Sequence, residues 1–516
     1  MKIFSTQNFT VTKFVKSVKY LAALFFITAL SASTLCAQTV TLTTTVDVVD
    51  GNTANIAALN GTPGGAGISL REAILAANNE PAGSTITINI PAGNHTLTIA
   101  GAGENAAATG DLDVNHAVAG LKTINIVGVS AATSIITGLV GDRVFDVHSL
   151  TAAGAFLTFN ISNVTITGAN VTGSGSAILA GRTGDVTTIT NCVFTGNTAS
   201  ANGGVISQSS SSNPHDLTIT NSTFTNNTAT SAAGGAVNYS GIGNNVTITG
   251  CTFTGNTAGT QGGAINISGT GAGPALTNIL RNTFSGNTAN GATFGGAVVA
   301  VTNAQTVNVN FNRILANNAA ASVATGKKIT SGGGVITTFN TDNNWWSVNT
   351  GPAAANVDVL GSTTGNWLQL KATASPSTIL PAASTTVTAS FLTNSANNAI
   401  GLPDLSTVIG LPISFVNPVL GTLSAAQPTI QASGTATVTF TATAGGAGSV
   451  NAVVDNVPNS ETSPARANIN ITAPVVLTCP TNTTTAACQS QAAVNAAFCD
   501  LASYSIGYGW LQWGTN

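Results

Sequence analysis

The chain has 516 residues, enough for several domains, yet only 6% of them are charged and the formal net charge is −3. That balance lays down no basic footprint, so nucleic acid is excluded as an expected partner. The 56 glycines, and small apolar residues interleaved with Thr and Asn, suit stacked β-structure better than a large helical core.

At the N-terminus Lys2, Lys13, Lys16 and Lys19 precede an apolar run over 20–30 and the small-residue stretch SASTLCAQ. This is the order of a secretory signal, so residues 1–37 are expected to be removed on export. The run is short for a bilayer span and no later segment reads as one, which predicts a secreted or surface-held chain with no integral span after cleavage. Residues 38–83 carry a strand, a Gly-rich loop and GISLREAILAANNE. Ser69 with Glu72 spells a capping box, and Leu70, Ala73, Ile74 and Ala77 share one face of the helix that follows. It is the one helix expected, and it is placed as a lid over the open end of what comes next. Arg71 and Glu72 read as a structural ion pair and cap.

Residues 84–352 are expected to coil as β-structure. Up to Ser176 the coils are degenerate: TITINIPAGNHTLTI, LKTINIVG, DRVFDV and FNISNVTITGANVTGSGSAIL. From Thr187 one phrase then recurs, as TITNCVFTGNTASANGGVI, TITNSTFTNNTATSAAGGAV, TITGCTFTGNTAGTQGGAI and ILRNTFSGNTANGATFGGAV, with a worn copy NRILANN. Its anchors Phe194, Phe224, Phe253, Phe284 and Ile314 lie 30, 29, 31 and 30 positions apart, a period that means a solenoid. If each repeat is one turn, equivalent residues stack at about 4.8 Å and about ten turns make a rod of roughly 50 Å.

Stacking turns the sequence into columns. The four Phe with Ile314 form an interior file. Asn197, Asn227, Asn256, Asn287 and Asn317 form a second, in which amides bond tier to tier. The third is a Gly pair whose second members are Gly204, Gly235, Gly263 and Gly296. Cys192 and Cys251 share a column two turns apart, beyond disulfide reach, and are expected to be free packed thiols. The phrase DNNWWSVNTGP then closes the stack, with Trp345 and Trp346 as a C-terminal plug.

FTGNTA followed by GGAI resembles the FxxN and GGA[ILV] repeats of the polymorphic outer-membrane protein family. SLREAILAAN is similar to the motif heading many secreted bacterial β-helix proteins, with Ile68 where those have Cys. DNNWWSVNTGP resembles the NWWGxNxGP ending of other bacterial β-helices, with Ser347 in place of Gly. The resemblance implies a right-handed parallel β-helix of the pectin-lyase-like kind, in a surface adhesin on the extracellular side of a Gram-negative-type bacterium.

Residues 353–366 read as a linker. Over 367–473 short alternating strands at sandwich spacing predict one Ig-like β-sandwich, and their order resembles the Ig-like modules of invasin-type adhesins. Residues 474–516 read as a truncated Cys-containing repeat or a disordered tail, with Cys479 and Cys488 the expected disulfide if one forms, and the chain is expected to be a longer protein cut short.

Chemistry is sparse in the repeats. Between Ala180 and Thr341 the acidic residues are Asp185 and Asp216, with no third carboxylate to hold a metal or work as a pair, and His215 is expected to be solvated in a Ser-rich loop. No catalytic residue, metal or cofactor is expected. The expected role is a non-enzymatic, adhesin-like rod that presents loops 169–175, 207–216 and 320–328 to glycans or surface proteins. One alternative is a polysaccharide lyase or hydrolase on the same fold. Another is an ice-binding face built from the Thr188/Thr190, Thr218/Thr220 and Thr247/Thr249 array.

Overall fold

The computed structural model describes residues 37–149, 154–181, 185–209, 215–241, 245–269, 275–291, 298–304, 306–319, 329–331, 338–352, 357–358, 365–460 and 463–473. Residues 1–36 of the stretch read as a signal, Gly296, the loop 320–328 and the tail with Cys479 and Cys488 lie outside them. The chain is all-β: a parallel β-helix followed by a β-sandwich.

Among the described residues the helix is built from four parallel sheets of ten, eight, seven and nine strands. The first begins at Gln38–Thr41 and ends at Thr338–Asn340. Nine steps of about 4.8 Å make it roughly 43 Å long. Register is strict: Ile136, Ile166, Phe194, Phe224, Phe253, Phe284 and Ile314 pair in one line along the second sheet, all enclosed. Successive Phe rings lie 4.9, 4.7 and 5.1 Å apart and within 12° of parallel.

Two sharp corners bracket each short strand of that sheet. Three positions before the anchor stands a residue with positive φ: Asn163, Asn191, Asn221, Gly250, Arg281 or Phe311. Two positions after it stands another: Gly168, Gly196, Asn226, Gly255, Gly286 or Ala316. Single left-handed residues turn the backbone at little cost only in Gly and Asn, so most corners carry one of those. The Gly pair does two different jobs. Gly203, Gly234 and Gly262 take φ of 66°, 73° and 65°, whereas a Cβ on Gly204 or Gly235 would meet the carbonyl oxygen of the next tier at 2.1 Å.

The Asn column is saturated. In Asn227, Oδ1 accepts from Asn197 N and Nδ2 at 3.0 and 3.2 Å, while Nδ2 donates to Phe194 O at 3.1 Å and Asn256 Oδ1 at 2.9 Å. Asn256 and Asn287 repeat the pattern. A second ladder runs at the other corner from Cys192 through Ser222, Cys251, Asn282, Asn312 and Asn344, in which each residue after Cys192 accepts the backbone N–H of the one before. Cys192 and Cys251 are free and buried.

Two helices cover the N-terminal end, one more than expected: α1 (Ile56–Gly61) and α2 (Leu70–Asn78). Ser69 and Glu72 form the capping box, and Glu72 also accepts from Asp50 N and Gly51 N. Arg71 does not pair with Glu72. It is fully enclosed and binds Asp47 through Nε at 2.7 Å and Nη2 at 3.1 Å. Glu72 is occupied by its cap, which leaves the guanidinium to turn to the loop after strand Gln38–Thr41. At the other end of α2, buried Lys122 donates to the carbonyls of Ala77 and Asn78, capping the negative end of the helix.

Beyond the helix, two four-stranded sheets face each other around a separate core, in keeping with an Ig-like sandwich. All their pairings are antiparallel except the edge strand Thr378–Ile379 on Arg466–Ile471. Inside the stretch read as a linker, Val357–Asp358 pairs with Ile329 and Thr330 as the last strand of the fourth helix sheet.

The two tryptophans do not plug the stack together. Asn344, Trp345 and Trp346 stand over Asn312, Arg313 and Ile314 as one more worn tier, with Trp345 bridged to Arg313 and Ile314 N donating to Trp345 O. Neighbouring strand residues point to opposite faces. Trp346 therefore turns into the helix core, and Trp345 turns outward into the sandwich core, edge-on to Phe391 at 4.9 Å. Among the described residues no helix is long and apolar enough to cross a membrane.

Candidate functional site

The columns expected from sequence are walls: they are enclosed and hydrogen-bonded within the rod. So are parts of two loops expected to be presented. Ala169 and Val171 are buried, and Asn170–Val171 is a strand of the third sheet. Ser207 and Gln208 are likewise buried in a strand. His215 is not solvated. It is fully enclosed, its ring 4.8 Å from that of Tyr239, whose hydroxyl donates to His215 O. The bare Cα of Gly241 makes the space, since a Cβ there would lie 2.5 Å from the imidazole. Asp185 and Asp216 hold backbone N–H groups, of Leu157 and Asn245 respectively.

Charged groups gather elsewhere, in the degenerate coils. Strands Leu112–His116 and Phe145–Ser149 are neighbours in the fourth sheet, with Asp113 beside Asp146 and Asn115 beside His148. Alternation sends Leu112, Val114, Phe145 and Val147 into the core and the residues between them outward. Asp113 is nevertheless 0% exposed, because the loop before its strand folds over it and Ala107 N donates to its Oδ2 at 2.8 Å. Arg71 of the lid pins that loop through the carbonyls of Ala107, Gly110 and Asp111.

Around Asp113 stand Asp111, Asp142 and Asp146, with Arg143 between them. The Arg143 guanidinium reaches Asp111 Oδ2 at 3.1 Å and Asp146 Oδ2 at 2.8 Å. Asp146 Oδ1 lies 3.1 Å from His148 Nδ1. Burial, and then the charges of Asp113 and Asp142, push the Asp111 carboxyl up to about 8. Burial, opposed by the Ala107 N–H and helped by Glu104 and Asp146, puts Asp113 at about 6. Asp113 Oδ1, His148 Nε2 and Arg143 Nε are enclosed and meet no hydrogen-bonding partner among the described residues. Donor atoms of Asp113, Asp146 and His148 lie within 4.8 Å of one another, so these three could hold a metal ion. Asp146 and His148 open onto a cavity of about 180 Å³ that Asn105, Gly181 and Ser209 also line.

Sequence reasoning confined to the clear repeats missed this group. The signal was there: GDLDVNH and GDRVFDVH each carry Asp, then Asp-Val, then His at the end of successive degenerate coils.

A second polar group joins the helix to the sandwich. Arg313 pairs with Asp455, which also accepts from Trp345 Nε1. One tier earlier Arg281 pairs with Asp404 at 2.9 Å. Asn394 Nδ2 donates to Asn343 and Thr407 Oγ1 to Phe311 O.

No protein-family model and no curated protein matches the chain. Among solved structures it is similar to that of the Yersinia pseudotuberculosis adhesin InvE, at 29% identity over 20% of this chain and with a TM-score of 0.15. The chain spans about a quarter of that protein, 26% of its length.

Proposed function

We propose that the protein is a non-enzymatic, adhesin-like rod, secreted or held at the cell surface, that displays its flank to glycans or surface proteins. The observation that carries this reading is the junction between its two units. Trp345 is shared with the sandwich core, and Asp455 and Asp404 clamp arginines of successive tiers. A sandwich fixed to a helix in this way extends a stiff stalk, where a mobile tether would let its surface collapse back. Ladders of saturated amides make the rod itself unyielding, as a platform for weak multivalent contact requires.

Polysaccharide cleavage is the second reading, favoured by the carboxylates around Asp113. Against it, Asp113 is sealed beneath its loop and the donor atoms lie within 4.8 Å, closer than the spacing of about 5 to 9.5 Å that paired glycosidase carboxylates need. A glycan array incubated with the protein and then assayed for released fragments separates the two. Retention on glycans without turnover supports display; cleavage of a pectin-like polymer overturns it.

A further inference from the structure

We infer that Asp113, Asp146 and His148 form a three-ligand site for a divalent cation of the manganese or zinc type, seated between two tiers of the helix and open to the cavity beside it. The inference is independent of the display reading, since a rod can hold an ion whatever it binds.

The geometry comes first. Asp113 and Asp146 are register partners on adjacent strands and His148 is two residues further along, so the three project from the same face of two successive tiers. Their donor atoms already lie within 4.8 Å of one another. A metal with bonds of about 2.0 to 2.2 Å spans such a set with small side-chain adjustments.

The second observation is the orphaned atoms. Asp113 is fully enclosed, and one of its carboxylate oxygens is satisfied by Ala107 N while the other has no donor among the described residues. His148 is 6% exposed and its Nε2 is likewise without a partner. Leaving a buried polar atom unmet is costly, and more so for a charged group. Two such atoms in one cluster point to a shared ligand. An ordinary structural cluster satisfies its members, as Asp47 does with both oxygens.

Charge sets the sign of that ligand. Asp113, Asp142 and Asp146 stand with one guanidinium, that of Arg143, which contacts Asp146 but not Asp113. A cation beside Asp113 would offset the excess. Donor chemistry sets its class: Ca²⁺ asks for six to eight oxygens, and an imidazole with two carboxylates suits Mn²⁺ or Zn²⁺ instead. The cavity of about 180 Å³ leaves room for water or a ligand oxygen at the remaining positions.

The test uses the full chain stripped with chelator and Mn²⁺ alone as probe, because thiols elsewhere in the chain would compete for Zn²⁺. Free Mn²⁺ is read by electron spin resonance. One saturable Mn²⁺ per chain is expected. Asp113→Asn and His148→Gln are expected to weaken binding by about tenfold or more, whereas Arg143→Gln, which removes a competing cation, leaves it equal or tighter. The chain has four histidines, so their ring proton signals give a readout without a ligand variant: Mn²⁺ should broaden that of His148 first. No saturable binding up to about 1 mM, a free energy near −4 kcal/mol, overturns the site. So does binding that leaves the His148 signal sharp or is unchanged in both folded ligand variants.

Discussion

Trp345 Nε1 donates to Asp455 Oδ2 at 2.7 Å, from the last tier of the helix to the turn after strand Gly446–Val453 of the sandwich. Arg313, one tier earlier, grips the same carboxylate. One acidic side chain, 8% exposed, thus receives an indole and a guanidinium from a different unit of the chain.

Asp455→Asn tests this junction with little backbone disturbance, since Asn accepts the φ of 52° at that position. It leaves Arg313 without its charge partner, and a lost charge-assisted bond is worth about 2 kcal/mol. Urea unfolding followed by tryptophan fluorescence is expected to show the sandwich melting apart from the helix at lower denaturant. An unchanged single transition would mean that the two units are held by apolar contact alone.

The aromatic file and the Asn ladder can be weighed against each other. Phe224→Ala opens a cavity between two parallel rings and is expected to cost about 4 kcal/mol. Asn256→Leu keeps the volume but strands Asn227 N, one Asn227 Nδ2 proton and Phe224 O, at about 1 to 3 kcal/mol each. Denaturation midpoints of the two variants should fall by similar amounts. A ladder variant near wild type would show that water or a shifted corner replaces the amide.

The Asp111 carboxyl has its pKa raised from 3.8 to about 8 by burial and its acidic neighbours. Below pH 3.8 the folded and unfolded chains both hold that proton, and its contribution to stability is fully present. Between 3.8 and about 8 only the folded chain keeps it, so stability falls as pH rises through that window and levels off above it. Asp111→Asn is expected to flatten that slope in unfolding measured from pH 4 upward. An identical slope in the variant would assign the dependence to other groups.

What could be read in advance followed from register. A stacked fold repeats its environment every turn, so the demand for a Phe, an Asn or a bare Cα recurs at one interval, and the columns through Phe194 and Asn197 were legible. The same demands are met elsewhere with different chemistry: in the degenerate coils Ile166 stands for Phe, and within the clear repeats Ser222 and Cys251 stand for Asn. That substitution hid the second ladder. It also hid the last tier, since Asn344-Trp345-Trp346 reads as a plug until it is laid over Asn312-Arg313-Ile314. The acidic group could not be read as a site from spacing alone. Asp113 is sealed by a loop held in place by Arg71, a contact across 36 residues that no period announces.

Cys192 and Cys251 offer a measure of how tightly the rod is closed. Burial raises their thiols to about 11 and about 12, with nearby backbone groups opposing only in part. Each sulfur also has bonds to make, Cys192 Sγ to Thr190 O at 3.4 Å and Cys251 Sγ to Thr249 O at 3.4 Å. Since the thiolate is the reactive form, a thiol that is both enclosed and held protonated should not be alkylated until the tier opens. Iodoacetamide near pH 8, close to the ordinary thiol pKa of about 8.5, is expected to leave both residues unmodified in the native protein and to label both in urea, as read by peptide mass. Because the two lie two tiers apart on one ladder, with Ser222 between them, they should become reactive together as denaturant is raised. Labelling of one well before the other would mean that the helix opens tier by tier instead of as a unit.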